Sequence, residues 1–251
     1  MLHHPTLDKL SARRLTGMAT AFRKQMPLPE SATLSFDERL GLLVDREMTI
    51  RNDRRLTTRL RQAKWRLPAS LEDIDDRHPR GLDTSLRLRL ASCQWVHDRH
   101  NVLITGPTGI GKTWLACAFG HTACREGSTV LYRRLPRWLQ DLTLAKGDGR
   151  YPQLMATLAK TARGILADWG LATFNDAQRR DVLEVLEERH GRGATLVTSQ
   201  FPVDHWHDVV GDPTLADAIL DRLLHNASKI PLTGESMRKR HTTVPHDVTA
   251  W

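Results

Sequence analysis

The chain has 251 residues, 40% hydrophobic and 26% charged, the proportions of a folded globular protein rather than a disordered one. Its 37 Lys and Arg against 29 Asp and Glu leave a formal charge of +8, which suggests a polyanionic partner. With no apolar run of membrane-spanning length, no signal-like N-terminus and three cysteines lacking a C-x-x-C pair, a cytoplasmic protein without membrane contact, disulfide scaffold or structural zinc is expected.

The first third reads as helices. Leu7, Leu10, Leu15, Met18 and Phe22 recur at helical spacing behind a capping Thr6, and Met26 to Pro29 break the pattern. Ser35 and Glu38 have capping-box spacing and open a helix whose apolar stripe continues, less regularly, to about Leu67. Pro68 begins a connector over 68–82, and Asp83 caps a further helix over 84–95. From Asn101 short apolar runs alternate with helical patterns, as in a parallel α/β sheet. Strands are predicted over 102–105, 129–132, 165–168 and 194–198, with a short one over 229–232. The helices between them fall over 113–125, 135–146, 176–190 and 215–225. Gly127 and Gly191 are the expected helix stops, and the chain after Arg238 is expected to be loose.

Gly106, Pro107, Thr108, Gly109, Ile110, Gly111, Lys112 and Thr113 spell G-x-x-x-x-G-K-[ST] between a strand and a helix. Glycines let successive N–H groups point into one concavity, and the helix adds its positive dipole end. Lys112 would reach the β- and γ-phosphates of ATP, and Thr113 would ligate Mg²⁺. ATP ordinarily also needs an apolar strand ending in a metal-binding Asp, often followed by a water-activating acid. Here Gly164 to Gly170 supply a single carboxylate, Asp168. Read from the strand alone, Asp168 is the metal residue and Trp169 occupies the water-activating position. The hydrolytic machinery is then incomplete, and ATP binding is expected to outlast turnover.

Thr198, Ser199 and Gln200 close the 194–198 strand, where a polar side chain either orients water and senses the γ-phosphate or simply ends the strand. Arg222 ends a helix; it is a surface residue or a finger for a neighbouring subunit's nucleotide. Arg51, Arg54, Arg55, Arg59, Arg61, Lys64 and Arg66 stand against Asp53, a net +6 within 51–66. On a continuous helix the six arginines span an arc of roughly 160°, and Trp65 falls inside it. Such a face repels itself, and phosphate contacts of duplex DNA would relieve it, with Trp65 along a groove or on a base. Acidic proteins and membranes are the other partners of basic helices. The pairs His97 with His100 and His205 with His207 lack a completing ligand set, and the cysteines read as ordinary helix residues.

The stretches Gly106 to Thr113, Asp168-Trp-Gly-Leu171, Thr198-Ser-Gln200, Gly211 through Asp221-Arg-Leu-Leu-His-Asn226, and Gly234-Glu-Ser236 resemble the IstB-like helper ATPases of insertion sequences. These are AAA+ proteins related to the DnaC helicase loader, and the resemblance runs from about Leu7 to Arg238. It implies a P-loop AAA+ core, a three-layer α/β fold with a parallel sheet, over 83–240. Ahead of it come a helical DNA- and partner-binding domain over 1–67 and the connector; a loose tail over 241–251 follows. It further implies ATP-dependent homo-oligomers on duplex DNA that deliver target DNA to a cognate transposase. Lys112 and Thr113 take the phosphate and Mg²⁺ roles, Gln200 or its neighbours the sensor role, and Arg222 the arginine finger. Anchored on Gly170, the family register puts Ala167 in the metal-Asp position and Asp168 in the water-activating one, against the strand-only reading. A helicase loader and a hydrolysis-impaired DNA scaffold are the alternatives. A small-molecule kinase is disfavoured by the lack of an acceptor motif.

Overall fold

The computed structural model describes residues 4–75, 80–161 and 163–237. The expected loose tail over 241–251 therefore lies outside the described residues, as does part of the connector. Packing divides the chain into two units, Met1–Thr58 and Arg59–Trp251.

The first unit contains α1 (Pro5–Ala12), α2 (Thr16–Gln25) and most of α3 (Phe36–Ala63). The apolar repeat from Leu7 to Phe22 is split between two helices because Arg14, at φ 58°, leaves the helical region. The Ser35 box forms: Ser35 N–H donates to Glu38 Oε2 at 2.8 Å, and Glu38 N–H donates to Ser35 Oγ at 3.3 Å. Glu47 of α3 is buried against the start of α2, where the helix has unpaired N–H groups. Its Oε2 accepts from Gly17 N–H at 2.7 Å and Met18 N–H at 3.1 Å, while Arg51 Nε holds Oε1 at 2.7 Å. Helix α3 ends at Ala63 rather than Leu67, because Lys64 turns left-handed at φ 56°.

The second unit holds the α/β core. Its elements are α4 (Thr84–Ala91), α5 (Gln94–His97), β1 (Asn101–Thr105), α6 (Lys112–Arg125), β2 (Val130–Arg134), α7 (Leu135–Gly147), α8 (Tyr151–Lys160), β3 (Arg163–Trp169), α9 (Asp176–Arg189), β4 (Ala194–Ser199), α10 (Trp206–Val210), α11 (Pro213–Leu224) and β5 (Ala227–Pro231). The five strands are all parallel, in the order β2-β3-β4-β1-β5. Residues of α7 to α11 share one apolar cluster with Leu103, Leu166 and Val197 on one face of the sheet. Ile165 faces the other way, its Cδ1 2.8 Å from where a Cβ on Gly120 of α6 would stand. Asp83 caps α4 as expected, accepting from Ser85 N–H at 3.0 Å and Leu86 N–H at 3.2 Å. The predicted 84–95 helix is broken by Cys93 at φ 57°. Helices α8 and α10 have no counterpart in the sequence reading.

Residues 59–75 fall in the second unit, where Arg59, Trp65 and Glu72 meet α6. Arg59 Nη1 donates to Cys124 O at 2.7 Å, placing a cation on the last turn of α6. Arg125 pairs with Glu72 at 2.7 Å. The three cysteines are buried and unpaired, and burial pushes the Cys124 thiol up to about 11. Among the described residues no helix is long and apolar enough to cross a membrane.

Burial alone would raise the Glu47 pKa, but the bonds from Arg51, Met18 and Gly17 outweigh it and hold the carboxyl below its usual value. A lowered folded pKa gives stabilisation that is complete above the unfolded pKa and lost as pH falls through the folded one. Glu47→Gln is expected to lower the melting midpoint at pH 7 by about 2–6 °C. Circular-dichroism melts at pH 7 and pH 4 check this, with the gap between variant and parent narrowing in acid.

Candidate nucleotide site

The phosphate loop joins the C-terminal end of β1 to the start of α6. Gly109 and Gly111 sit at φ 86° and 100°, a region costly for side chains. A Cβ on Gly109 would also collide with the Ser236 hydroxyl, and one on Gly111 would stand 3.1 Å from Arg80 Nη1. Lys112 Nζ donates to Gly106 O at 2.7 Å and Pro107 O at 2.8 Å, and Thr108 Oγ1 donates to Gln200 Oε1 at 2.8 Å. Thr108, Gly109 and Gly111 to Thr113 line a cavity of about 770 Å³ together with Asp168 and Thr198 to Gln200. That is ample for a nucleotide, and the glycine cradle leaves backbone N–H groups accessible to phosphate. Thr113 and Asp168 are the candidate Mg²⁺ ligands. One hydroxyl and one carboxylate suit an ion carried in on phosphate oxygens, and among the described residues no group of three or more acids, histidines or cysteines is assembled for a metal.

The end of β3 departs from a regular strand. Leu166 pairs with Val197 and Trp169 with Ser199, so Ala167 and Asp168 together oppose Thr198, a β-bulge. Asp168 is the extra residue, at φ 65°, and its N–H donates to Thr198 Oγ1 at 3.3 Å. The bulge sends Trp169 to the same face as Leu166, where it is buried 5.3 Å from Trp206 and 5.4 Å from Phe174. This corrects the strand-only reading: Trp169 is a core residue and does not occupy a water-activating position. Ala167, fully buried and two residues from Ile165, shares the α6 face. Asp168 reaches the cavity with its carboxylate 2.6 Å from Arg134 Nε at the end of β2.

The α/β fold with its parallel sheet agrees with what comparisons with known proteins find. Residues 8–244 match the family model described as IstB-like ATP binding protein. The chain belongs to the IstB-like ATP-binding proteins. It is 53% identical, over 95% of its length and 98% of the relative's, to a putative insertion sequence ATP-binding protein of Sinorhizobium fredii. It is 51% identical to the putative ATP-binding protein of insertion sequence IS1162 from Pseudomonas fluorescens, over 80% of this chain and 88% of that one. Among solved structures, its fold is similar to DnaI (TM-score 0.57, 19% identity, 67% of this chain and 96% of that one). The DnaC helicase loader is similar at TM-score 0.53 and 16% identity, over 65% and 96% of the two chains. The IstB-like core is thus a P-loop AAA+ fold.

Other expected site residues lie apart from the cavity. Asn101, the first residue of β1, donates through Nδ2 to Arg222 O at 2.9 Å, which puts Arg222 at the opposite end of the strands from the phosphate loop. Its guanidinium pairs with Glu187 at 2.8 Å. Of the expected DNA-contacting cations, Arg51, Arg54, Arg55, Arg61, Lys64 and Arg66 are exposed and Arg59 is half-buried; Arg51 pairs with Glu47, Arg54 donates to Thr16 Oγ1 at 3.0 Å and Arg59 closes α6. Trp65 corrects the reading of an exposed, base-stacking ring: it is half-buried over Gly120, 4.5 Å from the His121 ring. Arg66 lies beyond the helix and lines the nucleotide cavity. Leu67, Arg80, Trp114 and Met237 line it too, without having been singled out from sequence. The Gly234-Glu-Ser236 stretch was the one available pointer, since Met237 N–H donates to Gly109 O at 2.9 Å.

Lys112→Ala is expected to weaken ATP binding roughly 10- to 100-fold, as loss of a charged hydrogen-bonding partner of phosphate. Titration of the full chain with a fluorescent ATP analogue checks it.

Proposed function

We propose that this IstB-like protein is an ATP-dependent regulator of transposition that binds duplex DNA, assembles on it as a homo-oligomer and delivers target DNA to its cognate insertion-sequence transposase. The observation that carries the reading is the separation of Arg222 from the chain's own phosphate loop. An arginine there serves a nucleotide only across a contact with a second copy, so a complete site requires assembly. The relatives' names, which tie them to insertion sequences and ATP, support the biological setting. Exposed cations of the basic stretch support a DNA backbone contact, with Arg55, Arg61 and Lys64 its foremost contributors.

Within one site, Lys112 holds the phosphate chain, Thr113 orients Mg²⁺, Gln200 senses the γ-phosphate side through Thr108, and Asp168 polarises water. The metal, when bound, neutralises charge on the phosphates. Ala167 offers no carboxylate at the α6 face, and Arg134 holds Asp168 in an ion pair, so basal hydrolysis is slow and the ATP-bound state is long-lived.

Ala167→Asp is expected to raise ATP turnover at least tenfold with little change in ATP affinity, read by phosphate release beside nucleotide titration. No rise would sink the assignment of position 167 to metal binding.

The function itself is tested by electron microscopy and sedimentation with duplex DNA, with and without ATP. ATP should produce DNA-bound oligomers that dissolve steeply with salt, and Arg222→Ala should retain ATP binding while losing assembly. Salt-insensitive or absent DNA binding would overturn the reading. So would capture of a replicative helicase in place of a transposase.

A further inference from the structure

From Arg59 onward the basic stretch and the nucleotide cavity belong to one packing unit, and a short length of chain joins them. Arg59 fixes one end of that length on the last turn of α6, through its bond to Cys124 O. Further along, Lys64 turns left-handed, and the Trp65 ring stands 2.5 Å from where a Cβ on Gly120 would be and 4.5 Å from the His121 ring. Between these two anchors Arg61 and Lys64 remain exposed. The stretch is therefore laid along α6, the helix that begins in the phosphate loop.

Arg66 follows directly and lines the cavity together with Leu67. The Cys117 thiol of α6 lies against the main chain of both: burial raises its pKa, and the Leu67 and Arg66 N–H groups act the other way. Arg66 stands on the β2 side of the cavity, beside Tyr132. Burial, Cys117 and Asp168 push the Tyr132 hydroxyl up to about 12, while Arg66 acts in the opposite sense. Tyr132 thus lies within electrostatic reach of both Arg66 and Asp168. Asp168 is itself paired with Arg134, and among the described residues Arg66 makes no ion pair. The Asp168 end of the cavity is where metal and attacking water are assigned, hence where the terminal phosphate of ATP belongs.

We infer that Arg66 reads the terminal phosphate of ATP within its own chain and couples it to DNA contact by Arg61 and Lys64. The inference rests on the proposed ATP and DNA binding, and the test separates the two. A phosphate that engages Arg66 fixes the chain two residues beyond Lys64 and five beyond Arg61. Those cations are then held from both sides before DNA arrives, which lowers the ordering cost of binding. ADP leaves the second hold unmade. The Arg66 contact therefore differs between the two nucleotide states, the condition for a ligand to shift an equilibrium. Coupling of this kind is reciprocal: ATP and duplex DNA tighten each other by one factor.

In the full-length protein, affinities for ATP, ADP and a duplex short enough to hold one copy are measured separately and together, for the parent, Arg66→Ala, Arg66→Lys and Lys112→Ala. In the parent, ATP should tighten duplex binding roughly tenfold over ADP, and the duplex should tighten ATP by the same factor. Arg66→Ala should bring that factor close to one and weaken ATP more than ADP. Its loss of duplex binding should be greater with ATP than without nucleotide. Arg66→Lys should recover part of the factor, since it keeps the charge and gives up the fork. An unchanged factor in Arg66→Ala overturns the inference. An equal loss of duplex binding with and without nucleotide does so too, because it marks Arg66 as one more DNA-contacting cation. A factor that appears only on duplexes holding several copies places the coupling in assembly and overturns it likewise. Absence of duplex binding by the parent, or ATP binding that survives Lys112→Ala, would overturn the proposed function and the inference with it.

Discussion

The end of β3 meets two demands that an unbroken strand cannot satisfy together. Leu166 and Trp169 both belong to the apolar cluster beneath α7 to α11, yet they are three residues apart and a regular strand would send them to opposite faces. One extra residue resolves the conflict. Asp168 takes a left-handed conformation, which an Asp tolerates better than most side chains, and its N–H finds the Thr198 hydroxyl. Burial of the Trp169 indole against Trp206 and Phe174, worth about 3–5 kcal/mol on truncation, outweighs about 1–2 kcal/mol of backbone strain. The strain is therefore held in place by the core, and its product is a carboxylate aimed into the nucleotide cavity.

The same bulge links the site to its surroundings. Ser199 Oγ donates to Trp169 O at 2.9 Å and accepts from Phe201 N–H at 3.1 Å, so the turn after β4 is set by the displaced Trp. Gln200 lies within that turn and reaches Thr108 of the phosphate loop. Arg134, at the end of β2, meets Asp168 because β2 and β3 run side by side in parallel and finish at the same edge. Residues from four strand ends thus converge without any one of them being near another in sequence. The ligand crevice of an open parallel sheet lies at this carboxyl edge for the same reason.

Much of this was legible where the signal is local. The Ser35 and Asp83 caps, the phosphate loop between strand and helix, and the five strands all depend on residues within a few positions of each other. The strand-only placement of Trp169 failed because a bulge leaves one trace in sequence, a mismatch of side-chain parity that becomes visible only when the partners of Leu166 are known. A helix continued to Leu67 would carry Trp65 on the basic arc, but Lys64 turns left-handed without any compositional mark and the ring packs over Gly120 instead. Arg66, Arg80 and Met237 were missed as cavity residues for a third reason. They lie far in sequence from the phosphate loop, and only Met237 sits beside a stretch, Gly234-Glu-Ser236, that the family resemblance marks. The family resemblance registered Ser236 as a motif but gave no reason for it; the reason is the space left by Gly109.

The basic stretch carries a more general point about reading charge. A net +6 over 51–66 suggests a surface built wholly for a polyanion, but the fold distributes those cations among several roles. Arg51 neutralises a buried carboxylate, Arg54 reaches the first residue of α2, Arg59 satisfies a carbonyl at the end of α6, and Arg66 lines the nucleotide cavity. Each of these side chains has a position it would have to leave in order to meet DNA phosphate, and leaving costs the contact it makes. Arg55, Arg61 and Lys64 are exposed and bear no comparable cost. Counterion release rewards every phosphate neutralised by about the same amount, so the cations that are cheapest to commit dominate the salt dependence. Under the proposed DNA binding, the slope would be set by these few residues and fall short of what the charge count of the stretch suggests.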